Sequence, residues 1–185
     1  LHEFLPRFED LLVRQARGEL STEDERMLGA AEAWREQNPM LGIRGVRLGV
    51  LKPGLYAMQV RALVEAALER TRAGGRPVVE VMIPLTVSRE EMAAARRWTV
   101  EAIGRALKGS RRKLEIRVGT MIETPRAALL AGEIAEEADF FSFGTNDLTQ
   151  MAFGFSRDDV EARMVPEYLA QGLLRHDPFE TIDQS

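Results

Sequence analysis

The sequence contains no cysteine, only two histidines, and few aromatic residues, which make up 6% of its 185 residues. The absence of cysteine excludes disulfide bonds and thiolate metal sites within this sequence. No apolar run approaches the roughly 18 residues that a membrane-spanning helix needs, and we recognise no signal peptide. These absences predict a cytoplasmic protein without a membrane partner.

The sequence also lacks a large excess of charge of either sign, since its net charge is −4 and its pI is about 5.4. Two basic clusters, Arg96-Arg97 and Arg111-Arg112-Lys113, have acidic residues nearby. We expect both clusters on solvated helix faces and predict no nucleic-acid partner. Hydrophobic residues (45%) and charged residues (29%) stand in the proportions of a globular domain. The start at Leu1 rather than Met favours a piece of a longer protein.

The middle of the chain predicts a strand, a helix and a second strand. Apolar runs with β-branched residues cover 114–122 and 139–143. Between them, Thr124 suits the N-cap of a helix over 125–137 whose first residue is proline, where a missing N–H costs nothing. Parallel strands joined by a helix in this way end at the same edge of a sheet.

A carboxylate follows each of these two predicted strands. Glu123 follows the first, and the second runs into a predicted turn, Gly144-Thr145-Asn146-Asp147. Two carboxylates that converge at one sheet edge suit a hard divalent cation whose other ligands come from an oxyanion substrate and from water. Either carboxylate alone would more simply be a solvated loop residue or a helix cap.

A glycine-rich run over 40–51 contains Arg44 and Arg47 and predicts a further strand. Two arginines beside glycines can hold a phosphate or a carboxylate through paired N–H groups. The alternative is that both side chains face water from an edge strand.

Beyond the strand predicted over 139–143, the sequence predicts only short helices and turns. We expect a turn at 148–152, a short helix at 165–174 and the start of another helix at 177. Arg157 falls in a loop on the face that carries the carboxylates, and it is a candidate anion ligand. The alternative is an ion pair with one of the two aspartates that follow it.

The first half of the chain predicts four helices and one more strand. The helices are expected at 8–18, at 22–37 with Ser21 or Thr22 as the cap, at 53–73, and at 88–107 with Ser88 and Glu90 or Glu91 in a capping box; the strand is expected at 77–85. From Gly45 onward, strands and helices alternate as in a parallel α/β protein. An open doubly wound sheet and a closed barrel both fit this order, and a complete (β/α)8 barrel needs about 250 residues.

Several segments together resemble a known family. They are NPMLGIRGVRLG, VMIPLT, GTMIETPRAALLAGEIAEEADFFSFGTNDLTQMAFGFSRDD and PEYLAQGLLRHDPFETID. The sequence resembles the C-terminal domain of the pyruvate, phosphate dikinase family, one of the phosphoenolpyruvate (PEP)-utilising enzymes, which include PEP synthase and enzyme I of the sugar phosphotransferase system.

The resemblance implies a fold and a site. The implied fold is α/β, a partial (β/α)8 barrel that lacks its first and last strands and forms a single domain over 1–185, with a helical insertion over about 6–37. The implied cofactor is Mg²⁺, held by Glu123 and Asp147. The implied substrate-binding residues are Arg44, Glu123, Gly144, Thr145, Asn146, Asp147 and Arg157.

The resemblance also implies a reaction and partners. The reaction is reversible phosphoryl transfer between PEP and a phosphohistidine on a separate swivelling domain, with a nucleotide-binding domain in the same parent chain and a homodimeric assembly. The family's proton-donating cysteine, in a Cys-Gly-Glu-His-Gly segment, is expected beyond Ser185, and an upstream Arg-Thr-Glu motif is also missing here. We therefore expect the chain to hold the metal and part of the phosphate site, with no catalytic residue of its own.

Three alternatives stay open at this point. The chain could belong to a PEP synthase or an enzyme I relative. It could belong to a Mg²⁺-dependent lyase or aldolase acting on pyruvate enolates, which would need no phosphohistidine partner. It could also be a non-catalytic folding or dimerisation module.

Overall fold

A computed structural model describes residues 6–33, 35, 38, 40–110 and 114–182 of the chain. Three predictions refer to residues outside these ranges: the end of the second helix at Gln37, the basic cluster at 111–113, and Ser185, beyond which the family's cysteine is expected. The chain divides into two compact units, residues 1–44 and 45–185. The single-domain interpretation with a helical insertion stays a prediction. Among the described helices, none is long and apolar enough to cross a membrane.

The first unit contains two helices, α1 (Phe8–Arg17) and α2 (Thr22–Ala33). Gly18 ends α1 in the left-handed conformation (φ 69°), which a residue without a Cβ adopts at little cost. The Ser21 hydroxyl accepts a hydrogen bond from the Asp24 N–H (3.1 Å) and caps α2. Both helix starts and the predicted cap are confirmed.

The second unit is built on a three-stranded parallel sheet in the order β1-β2-β3. Its elements in chain order are α3 (Gly45–Leu51), α4 (Leu55–Arg72), β1 (Val79–Ile83), α5 (Arg89–Leu107), β2 (Ile116–Ile122), α6 (Pro125–Leu129), α7 (Ala131–Ile134), β3 (Phe141–Phe143), α8 (Thr145–Phe153), α9 (Arg157–Val160) and α10 (Met164–Ala170). The predicted α/β class with a parallel sheet is confirmed. The predicted caps also form, because Ser88 accepts the Glu91 N–H and Thr124 accepts the Ala127 N–H.

The predicted strand over 40–51 is wrong, since its second half is the helix α3. A short apolar run fits either structure, and here packing selects a helix that buries Val46 and Gly49 on one face. Gly49 lies so close to the ring of Tyr56 that an added Cβ would be 2.1 Å from a ring carbon. This contact joins α3 to the start of α4.

Three other predicted elements differ in extent. The helix over 125–137 is interrupted at Leu130 (φ −100°, ψ 15°), so that α7 starts anew and buries Ile134. The predicted turn at 148–152 belongs to α8, and the helix expected at 165–174 ends at Ala170. At 177 a turn forms instead of a helix, because the Asp177 side chain accepts the Phe179 N–H (2.8 Å).

The core of the second unit lies on one face of β1 and β2, because Val81, Ile83, Ile116, Val118 and Ile122 alternate onto the same side of the sheet. One cluster joins the sheet to α3, α5, α6 and α7 through Val46, Ile83, Met92, Ala95, Val118, Ile122, Ala127 and Ile134. A second cluster, Val60, Val64, Leu68 and Ala102, packs α4 against α5. Trp98 packs against the first cluster.

Arg96 does not lie on a solvated helix face, so that expectation is wrong. Its guanidinium donates to Asp139 Oδ1 (2.7 Å), Val118 O (3.0 Å) and Glu137 O (3.1 Å). Asp139 Oδ2 in turn accepts the Val118 N–H (2.8 Å). These bonds hold α5, β2 and the residues that precede β3 in place relative to one another. They also lower the pKa of Asp139, chiefly through the Arg96 hydrogen bond.

We predict that Asp139→Asn lowers the free energy of unfolding at neutral pH by about 1 kcal/mol, a value kept small because solvent screens this third-exposed pair. A carboxylate whose pKa is lowered by folding stabilises the protein above its unfolded pKa, and this stabilisation is lost as the pH falls through the folded pKa. The difference from wild type should therefore shrink at acid pH. Urea unfolding at several pH values measures it. The exposed Asp158→Asn variant is the control, and an equal effect of both substitutions at every pH would contradict the prediction.

We also predict that replacing threonine by valine has opposite effects on the free energy of unfolding at two fully buried positions. Thr99 Oγ1 has no hydrogen-bond partner among the described residues, so Thr99→Val should raise the free energy of unfolding by about 1 kcal/mol. The Thr120 hydroxyl donates to Ile83 O (2.6 Å), so Thr120→Val should lower it by about 1–3 kcal/mol. Urea unfolding curves of both variants test this difference in sign.

Candidate functional site

Glu123 lies between the end of β2 and the start of α6, and only 3% of its surface is exposed. Its Oε1 accepts a hydrogen bond from the Leu85 N–H at 2.6 Å. Thr124 follows at once and caps α6 through the Ala127 N–H (3.2 Å). The predicted carboxylate therefore stands at the strand end, where it is buried and held by a backbone donor.

Gly144 lies directly beside Glu123. The Gly144 N–H donates to Ile122 O (3.0 Å), and Ile122 pairs with Phe143 in the β2–β3 register. A Cβ at Gly144 would lie 2.5 Å from Glu123 Cβ and 3.1 Å from Glu123 Oε2. Only glycine lets the two strand ends approach this closely.

The Gly-Thr-Asn-Asp segment is the start of a helix, so the predicted turn is wrong. Gly144 is the N-cap of α8, and Asp147 lies in the first turn, where a carboxylate is favoured by the helix dipole. Thr145 and Asn146 are exposed and Asp147 is half-buried. The structure thus places Glu123 and the start of α8 at the same edge of the sheet.

The donors at this edge suit a magnesium ion that keeps water or substrate oxygens as further ligands. Glu123, Asn146 and Asp147 all offer hard oxygen atoms, and Mg²⁺ is commonly held by one or two carboxylates plus substrate. Within the described ranges, no group of three or more His, Cys, Asp or Glu residues could hold a metal ion. The metal-binding role of Glu123 and Asp147 stays a prediction.

Arg157 begins α9 rather than lying in a loop, and it contacts a second predicted site residue. Its Nη1 donates to Asn146 Oδ1 (3.3 Å), its Nη2 donates to Glu161 Oε1 (2.9 Å), and its guanidinium lies 5.3 Å from the centre of the Phe179 ring. Glu161 raises the pKa of Arg157. The alternative ion pair with Asp158 or Asp159 is wrong, since Glu161 is the partner.

Arg44 is the last residue of the first unit and is exposed. Its role as an anion ligand stays a prediction. The second unit begins with Gly45, whose backbone is left-handed (φ 55°), and with Val46, whose N–H donates to Pro84 O (3.0 Å).

The sequence did not predict that Leu85 contacts Glu123. VMIPL was predicted as a continuous strand, but β1 ends at Ile83, and Leu85 is the one non-glycine residue with positive φ in the described chain (60°). The available signal was Pro84, which cannot donate to a strand ladder and marks the end of pairing. Nothing in the local sequence indicated that the next N–H would bind Glu123.

Residues 11–184 match the family described as PEP-utilising enzyme, PEP-binding domain. The chain belongs to the PEP-utilising enzymes. It is 48% identical to pyruvate, phosphate dikinase 2 of Zea mays, over 100% of this chain and 21% of that protein. It is 48% identical to pyruvate, phosphate dikinase 1, chloroplastic, of Oryza sativa subsp. japonica and 46% identical to the protein of that name from Arabidopsis thaliana, over 100% of this chain and 19% of each relative.

These matches confirm the family resemblance that the sequence motifs indicated. The chain spans about a fifth of the length of these relatives. The comparisons therefore establish the family to which this chain belongs.

We predict that Gly144→Ala lowers the free energy of unfolding by about 1–3 kcal/mol, because the new methyl group would overlap the Glu123 side chain. The matched control is Gly132→Ala in α7, where an added Cβ meets nothing within 4 Å. That variant should be neutral or more stable by up to about 1 kcal/mol. Thermal and urea unfolding measure both, and equal stability of the two variants would contradict the close approach.

Proposed function

We propose that this chain is the PEP- and pyruvate-binding portion of a pyruvate, phosphate dikinase. The observation that carries the proposal is the buried Glu123 carboxylate, hydrogen-bonded to the Leu85 N–H and set against Gly144 at the start of α8. Burying a carboxylate is costly unless it is paired or coordinates a metal. A fixed carboxylate beside further oxygen donors is the arrangement that a Mg²⁺-dependent anion site needs.

In this proposal the chain forms part of a (β/α)8 barrel whose first and last strands lie outside it. Three parallel strands with helical connections support the proposal. The candidate ligands follow the carboxyl ends of β2 and β3, which is the end of the strands where barrel enzymes place their sites.

Glu123 and Asp147 are the proposed Mg²⁺ ligands. When bound, the cation would neutralise negative charge on enolate and phosphoryl oxygens. Gly144, Thr145 and Asn146 are proposed to contact the substrate, since they form the first residues of α8 beside Glu123. Gly144 contributes by letting the start of α8 approach the carboxylate closely, because a Cβ there would lie 2.5 Å from Glu123 Cβ.

Arg44 and Arg157 are proposed to bind the phosphoryl group. Arg157 is suited to this because it already contacts Asn146 and is held in place by Glu161 and the Phe179 ring. A guanidinium anchored in this way loses less conformational freedom when an anion binds. Arg44 is assigned from the family resemblance.

The proposed reaction is carried out with groups outside this chain. The methyl group of pyruvate gives up a proton to the family's cysteine, which returns it in the reverse reaction. The P–N bond of a phosphohistidine on a swivelling domain then breaks, and a P–O bond to the resulting enolate oxygen forms, giving PEP. A nucleotide-binding domain recharges the histidine, so that ATP, pyruvate and phosphate become AMP, PEP and diphosphate. The proton-donating cysteine of the family is proposed to follow Ser185 in the parent protein.

Two further properties of the parent protein stay predictions. They are the homodimeric assembly and the cytoplasmic location. Two of these relatives carry the word chloroplastic in their names, so the comparisons do not support the cytoplasmic location.

We predict that Glu123→Ala combined with Asp147→Ala weakens Mg²⁺-dependent oxalate binding to the full-length protein by at least about 100-fold, because the cation loses both carboxylate ligands. Isothermal titration calorimetry with oxalate, a dianion shaped like enolpyruvate, measures the affinity with and without Mg²⁺. The control is the pair Glu133→Ala and Asp158→Ala, which removes two exposed carboxylates from α7 and α9. Equal Mg²⁺-dependent binding by the test pair and the control pair would refute the metal site.

A further inference from the structure

Leu85 has a backbone conformation that a leucine rarely adopts. Its φ is 60°, in the left-handed region, and its side chain is buried with 1% exposed. In this region the Cβ of an L-residue crowds the carbonyl oxygen, so the conformation is unfavourable for any residue except glycine. Strained residues of this kind persist only where the surrounding structure determines them, and they cluster at functional sites.

Four hydrogen-bond contacts hold the segment Ile83–Thr86 around this residue. The Thr120 hydroxyl donates to Ile83 O (2.6 Å), and Thr120 Oγ1 lies 2.9 Å from Thr86 Oγ1. Pro84 O accepts the Val46 N–H (3.0 Å), and the Leu85 N–H donates to Glu123 Oε1 (2.6 Å). The segment is therefore fixed from β2, from α3 and from Glu123 itself.

The last two of these bonds are made by one peptide group. Its oxygen belongs to Pro84 and its N–H to Leu85, and because a peptide is planar the two point in opposite directions. The group cannot rotate toward an ordinary leucine conformation without breaking the bond to Val46 as well as the bond to Glu123. The left-handed backbone of Leu85 is thus tied to the orientation of the Glu123 carboxylate.

The side chain of Leu85 adds a packing constraint on the same geometry. A Cβ at Gly45 would lie 3.0 Å from Leu85 Cβ and 2.8 Å from Pro84 O. Gly45 also has a left-handed backbone (φ 55°). Two left-handed residues therefore pack against each other, one at the start of α3 and one after β1, which leaves the Leu85 side chain little freedom to move.

We propose that Leu85 is a positioning residue for the metal site. Its left-handed backbone directs its N–H to Glu123 Oε1 and so fixes the carboxylate with Oε2 beside Gly144 and the start of α8. This inference rests on the proposed function, in which Glu123 is a metal ligand. Hydrogen-bonded partners that orient a ligand commonly account for about 10–100-fold in metal affinity.

The test compares Leu85→Ile with Leu85→Met in the full-length protein. Both substitutions nearly conserve the volume of the side chain. Isoleucine is branched at Cβ and opposes a positive φ, whereas methionine, like leucine, is not branched there. The two readouts are hydrogen exchange at the amide of residue 85 without metal and the dissociation constant for Mn²⁺, titrated by electron paramagnetic resonance.

We expect the amide of residue 85 to exchange at least about tenfold faster in Leu85→Ile than in wild type, because the bond to Glu123 is lost. The Mn²⁺ dissociation constant should rise about tenfold with the number of sites unchanged. Leu85→Met should stay within about twofold of wild type in both measurements.

Other results overturn the inference or the proposed function separately. If the two variants exchange and bind Mn²⁺ alike, Leu85 does not position Glu123. If the Leu85→Ile variant binds Mn²⁺ at fewer sites per protein molecule but with unchanged affinity, the role of Leu85 is only structural. That result overturns the inference as well. If wild type binds no Mn²⁺ with or without oxalate, the proposed function fails, and the exchange rates still decide whether Leu85 holds the carboxylate.

Discussion

The hydrogen bond from the Leu85 N–H to Glu123 Oε1 joins the carboxyl end of β1 to the carboxyl end of β2. A carboxylate that is almost fully buried loses its hydration, and charge-assisted bonds to fixed donors offset that loss. β2 continues to Ile122, beyond the Thr120 that pairs with the last residue of β1, so Glu123 lies beside the segment that follows β1. Bonds from Thr120 and Val46 to the segment after β1 maintain this alignment.

The third strand depends on side chains for its position, because β3 has only three residues. Asp139 and Arg96 fix the residues that precede it to Val118 in β2. Gly119 in β2 permits Phe140, the residue just before β3, to approach closely. A Cβ at Gly119 would lie 2.3 Å from Phe140 O. These contacts determine where β3 ends, and so they place Gly144 against Glu123.

Features that depend on neighbouring residues were predictable from the sequence. The cap at Thr124 followed by proline, the strand before it, and the cap at Ser88 all rest on local chemistry, and all are found. The helix at Gly45–Leu51 was not predictable, because a short apolar run takes its structure from the Tyr56 ring and the core it packs against. The conformation of Leu85 depends on Thr120 and Glu123, which lie more than 30 positions further along the chain.

The helical start of α8 changes the chemistry that the Gly-Thr-Asn-Asp segment can offer. In a turn, Asp147 would be one more solvated carboxylate, whereas in the first turn of α8 it lies at the positive end of the helix dipole, which favours negative charge. Arg157 adds a cation at Asn146 on the same turn. An anionic ligand here would meet Asp147 and Glu123 as well as these positive groups. The carboxylates would repel it unless a divalent cation lay between them, and this repulsion is the physical reason for including Mg²⁺ in the proposed site.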